Sequence, residues 1–232
     1  MKDLNIDIYA DTAYLTEIAA WATEPRVRGF TTNPTLIRAA GVTHYAEWAH
    51  SVLAMVPGLP VSLPMLAPDL AHMEIQAREI EMWGPNVYVK IPIQTSTGES
   101  TLPLIEKLSH DGIPLNVTAV FTAEQARQVQ YALRDGGPYF LSVFAGRVAD
   151  TGCDPEELLR MLCLRPWKRQ GRVIWASARQ VGDVVRAVDA GCDIITLPPA
   201  LLLKLPTLGK DLDTYSRETV AQFEEDAREL RW

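Results

Sequence analysis

The chain is short of the residues that cross-link or metallate a protein. It has three cysteines, Cys153, Cys163 and Cys192. Their number is odd and no C-x-x-C spacing occurs, so neither a disulfide framework nor a zinc site is indicated. The expected compartment is the reducing cytoplasm. The four histidines, His44, His50, His72 and His110, all fall in stretches that read as helix. None is spaced with a cysteine or acid as a ligand pair would be, so neither a histidine-based catalyst nor a metal is expected. No apolar run approaches the length of a membrane span. The opening Met1-Lys2-Asp3-Leu4-Asn5 lacks the apolar core of a secretory signal. Basic charge is also short: 22 Lys and Arg face 29 Asp and Glu, for a net charge of −7. That argues against a broad nucleic-acid surface, which needs excess positive charge. An anionic small molecule gripped by a local pair of arginines remains compatible with it.

What is present is core-forming material. Apolar residues make up 47% of the 232, enough for a large interior, and α/β barrels run to this length as single domains. Strand-like runs alternate with helix-like ones from end to end. The strands read as Ile6–Ala10, Val27–Phe30, Pro60–Pro64, Asn86–Pro92, Leu115–Val120, Tyr139–Phe144, Val173–Ser177 and Asp193–Leu197. Between them, helices are expected from about Leu15 to Ala22, Tyr45 to Met55, Asp69 to Met82 and Glu99 to Ser109. Further helices are expected after Thr122, after Asp154-Pro155, before Ala190 and from Pro198-Pro199 through Leu205. Thr122 and Gln125 have the spacing of a capping box. Asp154, Pro155 and the acids after them read as an N-cap, a first-turn proline and an acidic first turn. An extra amphipathic helix, about Tyr215 to Leu230, closes the chain. Eight βα units in unbroken alternation predict a TIM (β/α)8 barrel, an α/β fold with one added C-terminal helix, in a single domain over 1–232. A doubly wound open sheet is the alternative, weakened because no G-x-G-x-x-G turn follows the first strand.

Lys90 stands out within this pattern. Val87, Tyr88 and Val89 favour a strand, and Pro92 cannot extend one because it has no N–H. Lys90 therefore lies at the end of an apolar strand. Burial there would disfavour the ammonium and leave a neutral, nucleophilic amine, which is what Schiff-base chemistry on a ketone requires. A lysine at a strand end can also simply reach solvent or pair with an acid. The other strands weigh against that bland reading. In a barrel, chemistry gathers where the strands end. The corresponding positions carry Asp11, Asn33, Asn116, Thr118, Ser142, Phe144, Arg147, Ser177 and Arg179.

At these residues the sequence resembles the transaldolase family, and most closely its short subfamily, which includes fructose-6-phosphate aldolases. The matching stretches are Asp11-Thr12-Ala13, Thr31-Thr32-Asn33-Pro34-Thr35, Val89-Lys90-Ile91-Pro92, Asn116-Val117-Thr118, Ser142-Val143-Phe144-Ala145-Gly146-Arg147 and Ala176-Ser177-Ala178-Arg179. The resemblance implies a cofactor-free, metal-free enzyme of carbohydrate metabolism that moves a dihydroxyacetone unit between sugar phosphates. An aldolase that releases dihydroxyacetone and a non-catalytic sugar-phosphate binder are the alternatives. Lys90 would be the Schiff-base nucleophile, Asp11 the acid and base, and Thr118 a residue that positions a proton-relaying water. Thr31, Asn33, Asn116 and Ser142 would hold the dihydroxyacetone hydroxyls. Arg147, Ser177 and Arg179 would hold the phosphate. Phe144 would mark the transferase side of the subfamily, whose aldolases carry tyrosine there. The resemblance further implies a homo-oligomer, often a ring-built decamer, with no nucleic-acid or membrane partner. One position departs from the family: Pro64 falls where its members usually place Glu or Gln to order the water.

Overall fold

A computed structural model describes residues 4–163, 171–228 and 230. Eight parallel strands close into one barrel in chain order. They are β1 (Asp7–Asp11), β2 (Val27–Thr31), β3 (Val61–Pro64), β4 (Val87–Pro92), β5 (Leu115–Val120), β6 (Tyr139–Val143), β7 (Gly171–Trp175) and β8 (Ile194–Leu197). Around them run α1 (Leu15–Ala22), α2 (Pro34–Ala39), α3 (Tyr45–Met55), α4 (Leu70–Glu81), α5 (Leu102–His110) and α6 (Ala123–Ala132). The second half adds α7 (Ala145–Asp150), α8 (Pro155–Cys163), α9 (Asp183–Asp189), α10 (Pro199–Leu202) and α11 (Leu212–Ala227). The predicted TIM barrel with an extra C-terminal helix is the observed architecture.

Alternation along the strands separates two interiors. Outward-facing residues such as Val87, Val89, Ile91, Leu115 and Val117 pack under the helices in the large core. Inward-facing residues fill the barrel. Its lower layer is a small cluster of Tyr9, Phe140, Ile174 and Ile194, with Tyr88 against it. Tyr88 stacks on Phe140 at 3.9 Å between ring centroids, and Tyr9 meets Phe140 edge-on at 5.8 Å. Gly29 makes room for this layer, because a Cβ there would lie 2.6 Å from the Tyr9 ring. One pleat above, toward the strand ends, the inward positions turn polar. The registers Asp11↔Thr31, Thr31↔Ser62, Pro64↔Lys90 and Lys90↔Asn116 put these residues on the inner face.

Local signals explain several helix boundaries. The capping box of α6 is complete: Gln125 N donates to Thr122 Oγ1, and Thr122 N donates to Gln125 Oε1, both at 3.1 Å. Asp69 caps α4 by accepting from His72 N at 3.0 Å. Several expectations shift. His44 precedes α3 as its N-cap and is not helical. His72 Nδ1 lies 2.8 Å from the Asp69 carboxylate, so this histidine does pair with an acid. The last helix starts at Leu212, where Asp211 accepts from Thr214 N. Residue 229, within its expected span, lies outside the described residues. α11 buries none of its residues, and Leu212, Val220 and Phe223 are exposed. Among the described residues, no helix is long and apolar enough to cross a membrane.

Candidate active site

Asp11 is the last residue of β1 and faces into the barrel beside Thr31 of β2. Thr31 Oγ1 donates to Asp11 Oδ1 at 2.7 Å and lies 2.6 Å from Thr196 Oγ1 of β8. Burial is the largest influence on this carboxyl and pushes it above the ordinary aspartate range. The Lys90 charge and the Thr31 hydrogen bond both oppose that rise.

Lys90 points inward from β4 and is only 8% exposed. Its Nζ donates to the Thr32 carbonyl at 2.8 Å, which orients the amine from the end of β2. Burial pushes the ammonium below the ordinary lysine range, and the Asp11 carboxylate works against that shift. A lysine and a carboxyl thus face each other in a poorly solvated site. Each is driven by burial toward its neutral form and by the other toward its charged form.

Beside Lys90, three buried polar side chains form a chain across three strands. Asn116 Nδ2 donates to Ser62 Oγ at 2.8 Å, and Ser142 Oγ donates to Asn116 Oδ1 at 2.7 Å. Both ends of the Asn116 amide are thereby fixed, which satisfies groups that would be costly to bury alone. Ser62 is a member that the sequence did not single out.

The mouth of the site is built by the turns after β6 and β7. Phe144 caps α7, and the Arg147 guanidinium carbon lies 5.3 Å from the centre of its ring. Gly146 lets this turn press on the next one, since a Cβ there would lie 1.7 Å from the Ser177 carbonyl oxygen. Ser177 has φ +62°, a left-handed conformation rare for a non-glycine residue and suggestive of a constrained site. Arg179 follows it. Its Nε donates to Asp150 Oδ2 at 3.0 Å, while its backbone N–H donates to the buried Asp183 carboxylate at 2.7 Å. Asp183 also accepts from Gln180 N at 3.2 Å, so one acid pins the whole turn.

The structure brings Asp11, Asn33, Lys90, Phe144, Arg147, Ser177 and Arg179 onto one cleft of about 440 Å³ at the strand ends. Asn33 also caps α2, its Oδ1 accepting from Leu36 N at 3.0 Å. Thr31, Asn116 and Ser142 do not line the cleft; they support it from behind. Thr118 stands apart as well. Its Oγ1 is buried without a hydrogen-bond partner, on a bulge where Ala119 takes φ +58°. Pro64 is in register with Lys90. The Pro64 carbonyl accepts from the Tyr45 hydroxyl at 2.8 Å. Sequence reasoning missed Thr196, Asp150 and Asp183. Only Thr196 carried a usable signal, its place on the inner face of a strand end. Among the described residues, no group of three or more His, Cys, Asp and Glu is placed to hold a metal.

Comparisons with known proteins bear on this geometry. Solved barrels that superpose on the chain include 2,3-dimethylmalate lyase, at TM-score 0.55 and 13% identity over 94% of this chain and 85% of that one. KGPDC from Streptococcus mutans superposes at TM-score 0.53 and 11% identity over 84% and 88%. At such identities these show the fold alone. Sequence relatives are nearer. A "Probable transaldolase" of Dehalococcoides mccartyi is 37% identical over 201 residues, 85% of this chain and 89% of that protein. "Probable transaldolase 2" of Listeria monocytogenes is 33% identical over 215 residues, 90% and 94% of the two chains. A "Probable transaldolase" of Thermus thermophilus is 36% identical over 212 residues, 86% and 90%. The family profile described as Transaldolase/Fructose-6-phosphate aldolase matches residues 8–231. The chain belongs to the transaldolase/fructose-6-phosphate aldolase family.

Proposed function

We propose that this protein is a Schiff-base transaldolase that passes a dihydroxyacetone unit from a ketose phosphate to an aldose phosphate. The observation that carries this reading is Lys90, a buried amine oriented by a backbone carbonyl and facing the Asp11 carboxyl across the cleft. The neutral Lys90 amine attacks the ketose carbonyl carbon. Water leaves as one proton is taken up from solvent, and a protonated imine remains. The Asp11 carboxylate then takes the proton from the hydroxyl beyond the breaking carbon–carbon bond. The electrons of that O–H bond form the aldehyde. Those of the carbon–carbon bond move toward the iminium nitrogen and give a neutral enamine. Protonated Asp11 later returns its proton to the alkoxide formed when the enamine adds to the acceptor. Asn33, which lines the cleft, is assigned to the dihydroxyacetone end, and Thr31, Asn116 and Ser142, assigned there by the resemblance, support that end from behind the cleft wall. Arg147, Ser177 and Arg179 are assigned to the phosphate, since guanidinium forks suit a phosphate and lie at the cleft mouth.

Transfer is favoured over release by two positions next to the enamine. Phe144 offers no hydroxyl, and Pro64 offers no side-chain donor or acceptor, so neither can order a water to protonate the carbanion. Thr118, with its unpartnered hydroxyl, is assigned as the remaining contact for such a water. The exposed apolar residues of α11 support assembly into a homo-oligomer, the state in which that face would be covered. The same reading makes the protein a cytoplasmic enzyme acting on diffusible sugar phosphates.

The direct test is borohydride trapping with fructose 6-phosphate, read by mass spectrometry. A reduced adduct on Lys90 is expected, with none in Lys90→Ala. An adduct that maps to Lys107, or that persists in Lys90→Ala, overturns the assignment.

A further inference from the structure

We infer that Thr196, on β8, is a positioning residue for Asp11, acting through the hydroxyl of Thr31. This rests on the reading of Asp11 as the acid and base of the lysine chemistry. The inference comes from counting protons in a buried cluster. Thr31 Oγ1 has one proton and donates it to Asp11 Oδ1 at 2.7 Å. The Thr31–Thr196 contact of 2.6 Å therefore has Thr196 as its donor. Thr31 is 1% exposed and Thr196 is 4% exposed, so bulk water does not readily replace either hydroxyl.

The backbone fixes this arrangement. Thr31 is the register partner of Asp11 on one side, and Thr196 is the register partner of Tyr9, one inward position below Asp11, on the other. Asp11 is thus flanked by the two strands that neighbour its own, and both supply hydroxyls. Donation by Thr196 polarises the Thr31 hydroxyl and strengthens its bond to the carboxylate. A hydrogen bond to the charged form favours that form, so Thr196 helps keep Asp11 able to accept a proton despite its burial. The charged groups that face the pair are Lys90 from β4 and, at the cleft mouth, Arg147 and Arg179; the Tyr9 phenol lies one layer below. None of these stands between Thr196 and Thr31.

Two variants separate this role from simple packing. Thr196→Val keeps the shape and removes the donor; Thr196→Ser keeps the donor and removes the methyl. Both are assayed for cleavage of fructose 6-phosphate in the presence of an acceptor aldose phosphate across pH, and for the borohydride adduct. In Thr196→Val the adduct on Lys90 should still form and KM should change little. Its kcat should fall several-fold, and the acid limb of kcat should move to higher pH by on the order of half a unit. Thr196→Ser should restore both. A parental acid limb in Thr196→Val overturns the role. So does a limb displaced equally in Thr196→Ser, which reads the test alone if the valine variant does not fold. No adduct in the unmodified protein overturns the lysine reading and this inference with it.

Discussion

Gly146 and the Ser177 carbonyl oxygen are so close that a single added methyl would sit 1.7 Å from that oxygen. The contact locks the turn that bears Arg147 to the turn that bears Arg179. Gly146→Ala should force the two apart. We expect a loss of about 1–3 kcal/mol of stability, seen as a fall in Tm of roughly 2–4 °C per kcal/mol. KM for phosphorylated substrates should rise with it. Unchanged KM together with an unchanged Tm would show that the turns are not held by this contact.

Arg147 and Arg179 should discriminate by phosphate. Replacing either with alanine should weaken phosphorylated substrates by about 2–5 kcal/mol, the range for truncating one side of a charge pair. Unphosphorylated ketoses should be affected far less. Asp150 occupies Arg179 in the structure, so Asp150→Asn should change phosphate affinity without touching the Lys90 adduct. Equal losses on both substrate types would remove the arginines from the phosphate site.

Asp11 and Lys90 should be coupled in a direction that can be measured. The Asp11 carboxylate raises the lysine's proton affinity, while burial lowers it. Asp11→Asn removes only the raising influence, so the Lys90 amine should lose its proton at lower pH. Adduct formation should then extend further into acid, although turnover falls by about three orders of magnitude. An acid limb of trapping that moves upward in Asp11→Asn would contradict the pairing.

Partition of the enamine should respond to Phe144 and Pro64. From fructose 6-phosphate alone, little dihydroxyacetone release is expected, with faster turnover once erythrose 4-phosphate is added. Phe144→Tyr and Pro64→Gln should each raise release relative to transfer, measured in one reaction mixture. Pro64 stands in register with Lys90, so a glutamine there is placed to hold a water near the enamine. Fast release by the unmodified protein, with no gain from an acceptor, would make it an aldolase.

The C-terminal helix should report on assembly. Light scattering at working concentration should show a multiple of 25.8 kDa, and a charge placed at Phe223 should reduce it. A monomer in the unmodified protein would mean that α11 is solvated as it stands.

The fold was legible because strands alternate with helices from end to end and several strands end on a chemical signal. Pro92 stops β4 just beyond Lys90, and Asp11 breaks an apolar alternation. The site's polar residues were legible because barrels put them at those ends. What was hidden depends on distant parts of the chain. α2 and α7 are six residues each, too short to show a period. β7 includes Gly171, two residues before the apolar run suggests, where a Cβ would lie 2.1 Å from the Tyr139 ring. The strand then ends at Trp175, which frees Ser177 for its left-handed turn. Thr196 lies at a strand end, but its contact with Thr31 arises only when the closing of the barrel sets β8 beside β1.

The aromatic layer beneath Lys90 has a kinetic consequence. Tyr9, Phe140, Ile174 and Ile194 are at most 2% exposed, so traffic cannot pass through the barrel's lower end. Donor, departing aldehyde and acceptor share a single doorway. On the proposed assignment they also share Arg147 and Arg179, which line the cleft mouth. The departing aldehyde has to vacate before the acceptor enters, and a donor sugar in excess can block the doorway against it. Initial-rate plots at several acceptor concentrations should accordingly give parallel lines, with each sugar inhibiting when it crowds out the other.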